Sequence, residues 1–219
     1  PAAEMELLDI AAIDFCEFAN SMPFRITVSK RHSNELDFFY IKTADASRIY
    51  GLELEQLLSP NNIVFYYHQN TLVETHIDGV PGDNFLEQIG GLPFHEQEQL
   101  ATEFVRFNER CFARLLGDMR SYNFVVVQND KQQWRIRAID FDQQCYEGRM
   151  SLYLPQFYKE NYPYVQMANN ILDHETIERC RILEREQLAA YVTANRRRLA
   201  ELLQVMQPEE ISENYKIVS

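Results

Sequence analysis

The stretch LLGDMRSYNFVVV, residues 115–127, sets an aspartate and an asparagine five positions apart, directly ahead of a strand-like run. Further on, AIDFD closes a second strand-like run and supplies another carboxylate, Asp140. Magnesium takes oxygen ligands, commonly one or two protein carboxylates together with phosphate oxygens. Asp118, Asn123 and Asp140 each offer such an oxygen. The runs NFVVV (123–127) and WRIRAIDF (134–141), joined by a turn at Asn129 and Asp130, read as an antiparallel hairpin. A hairpin brings the chain back to where it began, so Asn123 and Asp140 are expected to be neighbours.

Other elements must hold that hairpin in place. Residues 3–20 read as a helix, with Leu7, Leu8, Ala11, Phe15 and Phe18 on its apolar side. FRITVSK (24–30) and FFYIKTA (38–44) read as two strands of a hairpin. A helix is expected over 46–58, followed by strands over 62–69 and 71–77. Asp78-Gly79 and Pro81-Gly82 then mark a sharp break, the best candidate for a hinge. Beyond it, Leu100, Phe104, Phe107, Cys111 and Leu115 keep the 3.6-residue period of one buried helix face. From about 152 the chain is mostly helical, with a long amphipathic segment beginning at His174. Strands cluster early and helices late, which indicates α+β rather than alternating α/β.

Composition excludes several classes. The formal charge of −12 argues against general affinity for nucleic acid, whose phosphates it would repel. The basic run Arg196-Arg197-Arg198 reads as one face of a solvated helix. The four cysteines, Cys16, Cys111, Cys145 and Cys180, form no C-x-x-C pair, so zinc is not expected. Cys111 and Cys180 lie in helical patterns and read as buried thiols, and a reducing, cytoplasmic setting fits them. No apolar run approaches the ~20 residues of a membrane span.

The order of these parts carries a resemblance. Lys42 stands in the strand FYIKTA, and a helix with acidic residues follows. A break, a long helix, LGDMRSYN, a hairpin and AIDFD come after it. This order resembles the protein-kinase-like superfamily, and most of all its aminoglycoside-phosphotransferase and choline-kinase-type branch. LGDMRSYN resembles that branch's H-G-D-x-x-x-x-N catalytic loop, and AIDFD resembles its metal motif. The resemblance covers roughly residues 38–150. It implies a bilobal fold, with a small antiparallel-sheet N-lobe over 1–79 and a mainly helical C-lobe over 80–219. It also implies ATP and Mg as cofactors. By the same resemblance Asp118 is the catalytic aspartate, Asn123 and Asp140 are the magnesium ligands, and Lys42 holds the nucleotide phosphates. Glu53 or Glu55 is the lysine's helix partner, with Glu53 preferred. Backbone groups from Glu74 through His76 to Ile77 take the adenine. The acceptor is an unidentified small molecule or protein.

Three features depart from that pattern. Leu116 stands where the family usually has a loop-supporting histidine. No glycine precedes Gly51, so a glycine-rich phosphate loop is missing, although Lys30 and Arg31 could serve as clamps. Only about 75 residues follow Asp142. These departures keep a second expectation open, a catalytically weak or inactive pseudokinase-type binding module. The Tyr- and Pro-rich run 148–165 is either a pocket or groove lining or a packed loop. A helical interaction protein, resting on the long C-terminal amphipathic segment, is a third reading.

Overall fold

A computed structural model describes residues 8–17, 22–30, 35–145 and 149–206. The chain is α+β, as the segregation of strands and helices implies. It divides into two compact units, Pro1–Asp45 with Ile63–Ile77, and Ala46–Asn62 with Asp78–Ser219. Leu7, Phe18, the Arg31 clamp and the extreme C-terminal segment lie outside the described residues.

The first unit is a five-stranded antiparallel sheet in the order β1-β2-β3-β5-β4. Its strands are β1 (Leu8–Phe15), β2 (Phe24–Lys30), β3 (Leu36–Thr43), β4 (Phe65–His68) and β5 (Thr71–Thr75). Within the helix expected over 3–20, the described residues 8–15 form a strand instead and pair with β2. A bulge between Ile10 and Ala12 breaks the period of two, so the apolar spacing imitates a helix. Among the described residues, Ile26, Val28 and Leu72 are the buried apolar side chains of the sheet's strands.

The second unit begins with α1 (Ala46–Leu58), the helix expected to accompany the sheet. Its placement follows from what it buries. Leu54, Leu57 and Leu58 pack with Leu188, Leu202 and Met206 of two later helices. The chain continues through β6 (Val80–Pro81), α2 (Gly82–Ile89) and α3 (Phe94–Arg114). The hairpin strands are β7 (Phe124–Gln128) and β8 (Trp134–Ala138), and β6 completes a three-stranded antiparallel sheet. Asn129 closes the hairpin tip, its side-chain oxygen accepting the N–H groups of Lys131 and Gln133. Then follow α4 (Tyr162–Ile171), α5 (His174–Ala194) and α6 (Arg196–Met206). The long segment from His174 is thus two helices. Asn195 divides them, and its amide donates to the carbonyls of Leu57 and Tyr191.

The expected apolar face of α3 is buried, with Leu100, Phe104, Phe107 and Cys111 in the core. Phe104 stacks on Tyr164 at 5.4 Å between ring centroids, and Phe107 meets Phe124 edge-on at 5.3 Å. Charge is buried here too. Arg110 bonds Glu103 at 2.5 Å and Glu184 at 3.2 Å, and Glu103 also accepts from Arg135 and the Ile136 N–H. The network ties α3 to α5 and to β8. Among the described residues no helix is long and apolar enough to cross a membrane.

Gly51 marks the closest approach of α1 to the chain after β8. A Cβ there would stand 2.8 Å from the Cβ of Phe141. Alanine favours a helix over glycine by about 1 kcal/mol, but this clash meets a rigid part of the neighbour. Gly51→Ala is expected to destabilise the protein by about 1–3 kcal/mol, the usual cost of overpacking. Urea unfolding measures it, and an equal or raised midpoint would show that Phe141 moves aside freely.

Candidate functional site

Asp118 sits on the loop that follows α3. The helix ends at Leu115 in the left-handed region, φ 54°, where its N–H still reaches the carbonyls of Cys111 and Phe112. Leu116 then turns fully inward. Asp118 is itself left-handed, φ 55°, a conformation that aspartate tolerates better than most residues. Hydrogen bonds join this loop and the end of α3 to the neighbourhood of Asp140. Gly117 donates to the Gln143 carbonyl at 3.0 Å, and Cys145 donates to the Leu115 carbonyl at 2.8 Å. The Gln144 side-chain amide donates to the Arg114 carbonyl.

Asn123 closes a short 3-10 turn, Ser121–Asn123, just before β7. Its amide nitrogen donates to the Asp118 carbonyl at 2.7 Å, which leaves the side-chain oxygen as its ligand end. Its backbone carbonyl accepts the Ile139 N–H at 3.0 Å, one residue from Asp140. Phe124 lies opposite Ala138 in the ladder, so the hairpin brings Asn123 and Asp140 to the same end. Asp140 accepts the Asp142 N–H at 3.3 Å in a tight Asx turn. From α1, Ser47 donates to the Asp142 carbonyl at 2.9 Å and accepts the Gln144 N–H at 3.1 Å. Arg48 pairs with the Asp142 carboxylate at 3.5 Å.

The Asp118 carboxyl responds to burial and to the charges around it. Burial pushes it above the usual range, Arg120 pulls it back, and the charge of Asp140 raises it again. Arg120 bonds the Asp118 carboxylate through Nε at 2.7 Å, reaches Glu160 at 3.4 Å, and lies over the Tyr158 ring at 5.1 Å. Two repelling carboxylates with an amide oxygen beside them suit a hard divalent cation, whose charge would relieve the repulsion. Among the described residues no group of three or more His, Cys, Asp or Glu side chains could hold a metal. Phosphate or water oxygens would therefore have to complete the shell of any ion here.

One more member is a residue to which the spacing of Asp118, Asn123 and Asp140 does not point. The Tyr158 hydroxyl accepts the Asp118 N–H at 3.2 Å and donates to the Leu152 carbonyl at 2.9 Å. It supports the loop that carries Asp118, and it comes from the Tyr- and Pro-rich run. Burial and the Asp118 charge push its hydroxyl up to about 12, so it stays a neutral donor.

In the sheet unit Lys42 lies opposite Leu72, and Glu74 is two residues further along β5. Residues two apart share a face, and Lys42 Nζ meets Glu74 Oε2 at 2.6 Å, with both side chains largely buried. The expected partner was Glu53. That residue bonds Arg198 at 3.1 and 3.2 Å instead, because α1 packs beside α6. The alternative, Glu55, bonds Arg114 and the Asn61 amide. Glu74 thus contributes a carboxylate, whereas only its backbone was expected to act. The His76 N–H, expected near the adenine, donates to the Phe38 carbonyl at 2.8 Å, and its ring packs near Phe38 and Tyr40. No protein-family model matches this chain, and no curated protein matches it either.

Arg120→Gln should raise the Asp118 pKa, since it removes the bond and the charge that favour the carboxylate. Asp140→Asn should lower it. Carbon-13 NMR titration of the Asp118 carboxyl reads both, and an unchanged or reversed shift would contradict the geometry. Because the fold favours neutral Asp118, the stability it contributes is full at low pH and falls as pH rises through its raised pKa. Tyr158→Phe should cost about 1 kcal/mol and speed amide exchange at Asp118, and unchanged exchange would deny Tyr158 its support of the loop.

Proposed function

We propose that the chain is a kinase-like phosphotransferase that moves the γ-phosphate of ATP, with Mg, to a hydroxyl acceptor. The observation that carries this reading is the meeting of Asp118, Asn123 and Asp140 at one end of a hairpin. The reading takes residues 1–79, the sheet with the helix that carries Glu53, as the N-lobe and residues 80–219 as the C-lobe of a bilobal kinase-like fold.

Magnesium-bound ATP supplies the activated phosphoryl group and neutralises its charge. Asp118 is assigned to orient the acceptor hydroxyl and take its proton. Its raised pKa makes it a better base than an ordinary carboxylate. Arg120 holds that carboxylate in place and adds positive charge beside it. Asn123 and Asp140 are assigned to the cation, and Lys42 to the nucleotide phosphates. The acidic surface favours a cationic small-molecule acceptor by steering, and a protein acceptor fits the same chemistry.

A second reading is favoured by the Lys42–Glu74 pair. A lysine already neutralised in a buried pair has less to offer a phosphate. With no glycine-rich loop, this describes a pseudokinase-type binding module.

One titration separates the two. ATP with magnesium should raise the melting temperature, ATP without magnesium should do so far less, and Asp140→Ala should abolish the difference. At a hundredfold excess over Kd the stabilisation is about 2.7 kcal/mol. Asp118→Asn should keep the binding and cut turnover by about 10²–10⁴. No stabilisation at millimolar nucleotide favours the binding module, and magnesium-dependent binding that survives Asp140→Ala contradicts the site.

A further inference from the structure

We infer that β1 is the twofold interface of a homodimer, in which two copies pair this strand antiparallel to itself. β1 is an edge strand of the five-stranded sheet. Its side chains Ile10, Ile13 and Phe15 are 66%, 59% and 49% exposed, and Phe15 lies against exposed Phe24 at 5.2 Å between ring centroids. A long apolar edge presents unpaired backbone groups and invites another strand.

The sequence of the strand names the occupant. Leu8-Asp9-Ile10-Ala11-Ala12-Ile13-Asp14-Phe15 reads the same in both directions by chemical type, with its centre between Ala11 and Ala12. Paired antiparallel to a second copy about that centre, Ile10 faces the partner's Ile13 and Ala11 faces the partner's Ala12. A twofold axis perpendicular to a sheet requires facing residues to lie on the same face. In a regular strand Ile10 and Ile13 lie on opposite faces, so an even-numbered palindrome cannot pair this way.

The bulge removes that obstacle. Ile10 lies opposite Val28, Ile13 opposite Ile26 and Phe15 opposite Phe24. Phe24, Ile26 and Val28 alternate along β2 and share a face, so Ile10, Ile13 and Phe15 share it too. The extra residue that makes this possible lies between Ile10 and Ala12, at the centre of the palindrome. Apolar cross-strand pairs then form on one face, Ile10 with the partner's Ile13 on both sides of the axis. Asp14 is on the other face, held by Arg25 at 3.3 Å, which offsets its approach to the partner's Asp9. Such a contact is isologous and closes as a dimer.

Sedimentation equilibrium of the whole chain from ~1 to ~100 µM tests this inference, a range that spans typical transient-interface affinities. The mean mass should rise from one chain towards two. Ile13→Lys, at an exposed position, should stay at one chain throughout with an unchanged circular dichroism spectrum. Ile10→Lys should do the same. In the unmodified protein, amide exchange over residues 8–15 should slow as concentration rises. A single-chain mass at every concentration overturns the inference, whether the edge is left bare or taken by some other segment. So does a dimer that survives both substitutions.

Discussion

The tie between the loop after α3 and the chain after β8 is the constraint on which the site depends. Leu116 and Gln144 face each other as an isolated antiparallel bridge, flanked by the Gly117–Gln143 and Cys145–Leu115 hydrogen bonds. Without it, Asp118 and Asp140 would sit on two independent loops. With it, their separation is set by backbone hydrogen bonds, which cannot readily be left unmade in a buried segment. Everything around the bridge reinforces it. Ser47 fastens the second strand of the bridge to α1, Phe141 packs onto Gly51, and Tyr158 fastens the Asp118 N–H from the other side.

That arrangement holds like charges together. Two carboxylates and an arginine share a half-buried space, and burial already disfavours the ionised form of Asp118. Such tension is typical of positions selected for chemistry rather than for stability. The buried network of Arg110, Glu103 and Glu184 is a contrasting case. There each charge meets an opposite one, and the result is a rigid link between helices.

Much of this was legible in the sequence, for reasons that differ from element to element. The hairpin could be read because two strand-like runs flank an Asn-Asp turn, and a hairpin fixes which residues meet. Helix α1 could be read over its whole length, Ala46–Leu58, but its neighbours could not. Periodicity shows which side of a helix is apolar, and not which element covers it. The helix pattern alone therefore points Glu53 to a lysine of the sheet, whereas Arg198 holds it. β1 reads as a helix because Leu8, Ala11 and Phe15 are spaced three and four apart, although Ala11 is the extra residue of a bulge that breaks the strand period. The run 148–165 is legible as a lining or a packed loop, but the contact of Tyr158 with the Asp118 N–H is not, because a contact spanning 40 residues leaves no local pattern.

The most direct test of the central claim uses manganese in place of magnesium, since it takes similar oxygen ligands and its unpaired electrons broaden nearby NMR signals. With ATP present, the amide signals of Asn123, Asp140 and Asp118 should broaden first, and Asp140→Asn should largely restore them. Broadening centred on other residues, or none at these three, would contradict the account.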